Sequence, residues 1–107
     1  MAVKKGDWID EAKNHEGESC AVLIEVLEGG AGLEKVICCG YELTDQDVVS
    51  DPKATGRAQG KAAPFIIDES KNNPNSCGLK IRVVDGGAGF DKVYCCGNEL
   101  TPERDAV

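Results

Sequence analysis

Residues 20–44 read CAVLIEVLEGGAGLEKVICCGYELT, and residues 77–101 read CGLKIRVVDGGAGFDKVYCCGNELT. The two stretches lie 57 positions apart, align without a gap and agree at 15 of 25 positions. All six cysteines of the chain fall inside them at equivalent places: Cys20 with Cys77, Cys38 with Cys95, and Cys39 with Cys96. A duplication that retains every cysteine puts those thiols at the centre of any functional reading. The repeat also reaches upstream. Trp8-Ile9-Asp10-Glu11 matches Phe65-Ile66-Ile67-Asp68-Glu69 when one extra residue is allowed, so each copy carries an acidic pair.

Within each copy the apolar residues alternate. Val22, Ile24 and Val26 match Leu79, Ile81 and Val83, while Glu25, Lys80 and Arg82 fall on the opposite face. A period of two over such a run predicts a half-buried strand. Gly29-Gly30-Ala31-Gly32 and Gly86-Gly87-Ala88-Gly89 follow, and glycine takes positive φ without steric cost, so they predict hairpin turns. These runs lead into strands rather than helix N-termini, which sets aside a phosphate cradle. Second strands, 33–38 and 90–95, end in Cys-Cys-Gly. A hairpin brings its ends together, so the pattern places Cys20 beside Cys38 and Cys39, and Cys77 beside Cys95 and Cys96.

Residues 1–44 thus form a first repeat, 45–63 a linker, 64–101 a second repeat and 102–107 a short polar tail. The linker holds Pro52 and scattered charges with no apolar period. Divided this way, the 107 residues make two units of about 50, each too small to be comfortably stable by packing alone. Aromatic residues make up only 5% of the chain, so large core anchors are scarce and a staple is expected. The cysteines supply it. The expected class is a small all-β, metal-stapled protein.

The Cys20…Cys38-Cys39-Gly40 and Cys77…Cys95-Cys96-Gly97 pattern, with its intervening glycines, resembles desulforedoxin and the N-terminal domain of desulfoferrodoxin. The resemblance covers residues 6–44 and 64–101. It implies two tandem desulforedoxin-like β-hairpin modules, packed as a covalent pseudo-dimer, each holding one metal ion. Cys20 and Cys77 match the second cysteine of the family's Cys-x-x-Cys pair, and the vicinal cysteines match its second pair. The chain departs at the first cysteine of that motif, where Gly17 and Pro74 stand and offer no side-chain ligand.

Each repeat is therefore a three-thiolate set, Cys20, Cys38 and Cys39 or Cys77, Cys95 and Cys96, with a fourth position to fill. Tetrahedral sites of this donor type take zinc or iron. The candidates for the fourth ligand are His15, the acidic residues Asp10, Glu11, Asp68 and Glu69, a water, an external ligand or a partner side chain. His15 is the only histidine and could serve one site only. An iron–sulfur cluster, which an open position also admits, ranks behind a single ion.

The net charge of −7 with dispersed Lys and Arg argues against nucleic acid as a partner. No apolar run approaches the roughly 20 residues of a membrane span, and the N-terminus lacks a secretory h-region, so a cytoplasmic protein is expected. In a reducing compartment, paired cysteines more often bind metal than form structural disulfides. No catalytic arrangement accompanies the thiols. The reading is a non-catalytic metal-binding accessory subunit of a larger cytosolic enzyme. The alternatives are an iron-containing electron-transfer protein and a metal-free thiol/disulfide redox protein.

Overall fold

The alternating residues of both copies do form strands, and the central pairing of each sheet joins one copy to the other. The computed structural model describes residues 3–15, 22–50, 65–75, 77–85 and 89–107. In the first copy these contain β1 (Trp8–Asp10), the single-turn helix α1 (Ala12–His15), β2 (Leu23–Glu28), β3 (Leu33–Cys38) and β4 (Tyr41–Leu43). A 3₁₀ turn (Asp45–Asp47) and β5 (Val48–Val49) close it. The second copy contains β6 (Phe65–Asp68), a 3₁₀ turn (Glu69–Lys71), β7 (Lys80–Asp85), β8 (Phe90–Cys95), β9 (Asn98–Leu100) and the single-turn helix α2 (Pro102–Asp105).

The protein is small and all-β, built from two antiparallel sheets. One has the order β5-β1-β2-β7-β6 and the other β4-β3-β8-β9. The orders are nearly palindromic when the copies are exchanged. At the centre of the first sheet Glu25 faces Arg82, and at the centre of the second Val36 faces Val93, each pair separated by the repeat length. The expected β2–β3 hairpin is corrected by this arrangement. The two strands lie in different sheets, so the Gly-Gly-Ala-Gly stretch carries the chain from one sheet to the other. Period-two alternation specifies which face of a strand is buried, not which strand lies beside it.

The buried face is the one the alternation predicts. Val22, Ile24, Val26, Leu79, Ile81 and Val83 are all at most 1% exposed. They pack with Ile9, Leu33, Val36, Leu43, Ile67, Val93 and Leu100 in one aliphatic core. Each such side chain contributes about 1.5–3 kcal/mol relative to exposure. Phe65 and Phe90 pack edge to face at its margin, with centroids 5.5 Å apart.

The upstream match is also sharpened. Ile9 pairs with Ile24 and Ile67 with Ile81, so Trp8 corresponds to Ile66 rather than to Phe65. Residues 45–49 and 102–107, read as linker and tail, fold back in equivalent ways. Val48 pairs with Ile9, and Ala106 with Ile67. The Asp47 carboxylate accepts the Thr44 N–H and an Asn14 amide proton, at 2.9 and 2.7 Å. Asp105 does the same for Thr101 and Asn72, at 2.9 and 2.7 Å. Each buried aspartate thereby ties the closing turn to the segment before the first cysteine.

Candidate metal centre

The cysteine-bearing turns have an unusual backbone. Cys38 pairs with Tyr41 across a two-residue loop, and Cys95 pairs with Asn98 in the same way. Both central residues of each loop have positive φ: 55° at Cys39 and 79° at Gly40, and 55° at Cys96 and 76° at Gly97. Two-residue hairpins of this kind favour Asn-Gly or Gly-Gly, because a β carbon in the left-handed region costs roughly 1–2 kcal/mol. Cysteine occupies that position in both repeats. The thiol is kept against the conformational preference of the turn.

In the second repeat the Glu69 carboxylate and the sulfurs of Cys77, Cys95 and Cys96 all lie within 4.8 Å of one another. Cys77 Sγ is 3.3 Å from Cys95 Sγ and 3.5 Å from Glu69 Oε1, and Cys95 Sγ is 3.9 Å from Cys96 Sγ. A tetrahedral ion with metal–sulfur bonds of about 2.3 Å and a metal–oxygen bond of about 2.1 Å requires S···S near ~3.8 Å and S···O near ~3.6 Å. The two S···S separations bracket the first value, and the S···O separation lies just below the second. Glu69 is fully buried. Its Oε1 accepts the Leu79 N–H at 3.2 Å and its Oε2 accepts from Asn98 Nδ2 at 3.3 Å. Both carboxylate oxygens thus have donors that hold the group against the sulfurs. Hydrogen bonds of this kind orient a ligating carboxylate.

The first repeat brings Glu11, Cys38 and Cys39 together within the same limit. Glu11 is fully buried, and its Oε1 accepts the Val22 N–H at 3.2 Å, matching Glu69 and Leu79. Cys20 and the side chain of His15 lie outside the described residues. Asp10 and Asp68 stand outside both groups. Asp68 instead caps the 3₁₀ turn that follows it, accepting from Ser70 N and Ser70 Oγ at 3.0 and 2.6 Å. Of the fourth-ligand candidates among the described side chains, the glutamates are the ones that reach the thiols. Cys77, Cys95 and Cys96 are free thiols.

Burial pushes the Cys77 thiol up, but hydrogen bonds from the Gly32 and Gly30 backbones and from Cys95 and Cys96 outweigh it, so its pKa is lowered. Cys95 is pushed up, first by burial, then by its hydrogen bond to Cys77 and the charges of Glu69, Cys77 and Cys96. Thiols crowded in this way resist ionising together until a cation joins them.

A groove of about 460 Å³, lined by Asn72, Asn73, Pro74, Asn75, Cys77, Cys96 and Asn98, opens beside this cluster. Sequence reading missed three features. Asn98 carries no signal, since its counterpart is Tyr41. The left-handed cysteines were foreshadowed only by the Cys-Gly dipeptides. The glycine runs, identical in both copies, were visible but were read as turns. Compared with protein-family models, curated proteins and solved structures, the chain finds no significant match.

Proposed function

We propose that this chain is a non-catalytic metal-binding protein. It holds one zinc or iron ion per repeat through three thiolates and a buried glutamate: Cys77, Cys95, Cys96 and Glu69 in the second repeat, and Cys38, Cys39, Glu11 and Cys20 in the first. The single observation that carries this reading is the convergence of Glu69 with three sulfurs, all four donors lying within 4.8 Å of one another. In this reading the glutamate replaces the cysteine that the desulforedoxin-like pattern has at Gly17 and Pro74, and the repeats form a pseudo-dimer of such modules. We assign it as a small accessory subunit of a larger cytosolic enzyme. Its acidic charge accords with a protein partner rather than nucleic acid, and among the described residues no helix is long and apolar enough to cross a membrane.

Anaerobic purification with elemental analysis tests the reading. Two ions per chain are expected, and well under one would sink it. The visible spectrum of the same sample separates the metals: zinc is colourless, ferric thiolate red and an iron–sulfur cluster brown. A second reading, an electron carrier, is favoured by the exposure of Cys39 and Cys96, which would put an iron site at the protein surface. A colourless protein replete with zinc excludes it. Counting thiols with and without reductant tests the metal-free redox alternative.

A further inference from the structure

We propose that each metal site is supported by the opposite repeat, and that Gly32 of the first repeat is a positioning residue for the divalent cation held by Glu69, Cys77, Cys95 and Cys96 of the second. The inference rests on the metal-binding reading above.

The contacts run across the repeats in both directions. Cys96 N–H donates to the Gly32 carbonyl at 2.9 Å, and Cys39 N–H donates to the Gly89 carbonyl at 2.8 Å. The approach is closer than any side chain permits. A β carbon on Gly32 would lie 2.3 Å from Cys96 Sγ, and one on Gly29 would lie 2.7 Å from the Gly78 carbonyl carbon. These glycines are required for proximity to the other repeat as well as for backbone conformation.

The chemistry follows from the donor set. Three thiolates and a carboxylate carry more negative charge than one divalent ion neutralises. The Gly32 carbonyl, by accepting the Cys96 N–H, fixes the Cys96 turn and its sulfur in place before metal enters, so less order must be gained on binding. Linkage is reciprocal: a loop that strengthens metal binding is itself held down by the bound metal. Metal at one repeat thus strengthens its docking to the other.

The test uses the full chain titrated with cobalt(II), followed by the sulfur-to-cobalt absorption. Wild type is expected to take up two ions. Gly32→Ala is expected to keep one wild-type site and weaken the other by roughly 10- to 100-fold, the range for a group that orients a ligand, because its β carbon displaces the Cys96 sulfur. Adding Cys96→Ser should spare the strong site, whereas adding Cys39→Ser should remove it. Wild-type titration by Gly32→Ala, or the reverse pattern with the two serine variants, overturns the proposal.

Hydrogen exchange on the unaltered protein keeps the proposal testable should Gly32→Ala not fold. With saturating cadmium the Cys96 amide, bonded to the Gly32 carbonyl, is expected to exchange roughly 10-fold or more slowly than in chelator. Exchange at the same rate in both states refutes it. A wild-type chain that takes up no cobalt and no cadmium defeats the metal reading itself, and the proposal with it.

Discussion

The N–H of Cys96 donates to the carbonyl of Gly32 at 2.9 Å, joining the cysteine turn of the second repeat to the glycine loop of the first. That bond holds Cys96 in a left-handed conformation that its side chain disfavours. Replacing Cys96 with Asn, which tolerates the conformation, should have effects of opposite sign. In chelator, the variant should be more stable than wild type by up to ~1 kcal/mol. Under saturating zinc it should be less stable, because it lacks a ligand. Urea melts under both conditions check the crossover.

Asn98 touches the carboxylate rather than the sulfurs. Asn98→Ala should retain two metal sites per chain, with the affinity of one reduced about 10- to 100-fold, as for residues that orient a ligand. Glu69→Gln should lose that site at ordinary metal concentrations. Competition with a chromophoric chelator distinguishes the two variants.

Removing metal should cost stability in proportion to affinity. With free ion at a thousand times Kd, each site adds about 4 kcal/mol to the folded state. Chelator should therefore lower the thermal midpoint steeply, and stoichiometric zinc should restore it. Calorimetry of the same sample before and after chelation gives the shift.

Asp105 is buried, and burial alone would raise its pKa. Hydrogen bonds from Asn72 and Thr101 and the neighbouring Arg104 hold it below the ordinary carboxylate value instead. A carboxyl depressed in the folded state contributes stability above its unfolded pKa of about 3.9 and loses it as pH falls through the folded value. Asp105→Asn should cost about 1–3 kcal/mol at neutral pH. It should also flatten the loss of stability below about pH 4. Denaturant melts across pH 2–7 measure both effects.

Contacts between repeats should divide sharply by burial. Ile81→Ala removes a fully buried side chain from β7 and should cost about 2–5 kcal/mol. Arg82→Ala breaks a 2.6 Å ion pair with Glu25, but the Arg82 side chain is 48% exposed, so the cost should stay below about 1 kcal/mol. Equilibrium unfolding of both variants tests the ordering.

Much of this was legible in the residues. The duplication located all six thiols, the alternation picked out the core faces at Val22, Ile24 and Val26, and the shared acidic pairs contained Glu11 and Glu69. Strand partners were not legible. A glycine run between two strands is compatible with a hairpin or with a crossing between sheets, and local pattern does not choose between them. The choice is made by the other repeat, whose β7 and β8 compete for the same strand edges. The same limit hid the role of Gly32, whose reason for lacking a side chain lies 64 residues away at Cys96.

Position 25 sits where the first sheet's two copies meet, so in a homodimer of identical repeats it would face itself. Two first repeats would set glutamate against glutamate, and two second repeats arginine against arginine, each unfavourable at directly opposed strand positions. Fusing the copies into one chain allowed the pair to become Glu25 and Arg82. Charge at this one register point favours union of unlike halves and discourages a free copy of either half from pairing with its own kind.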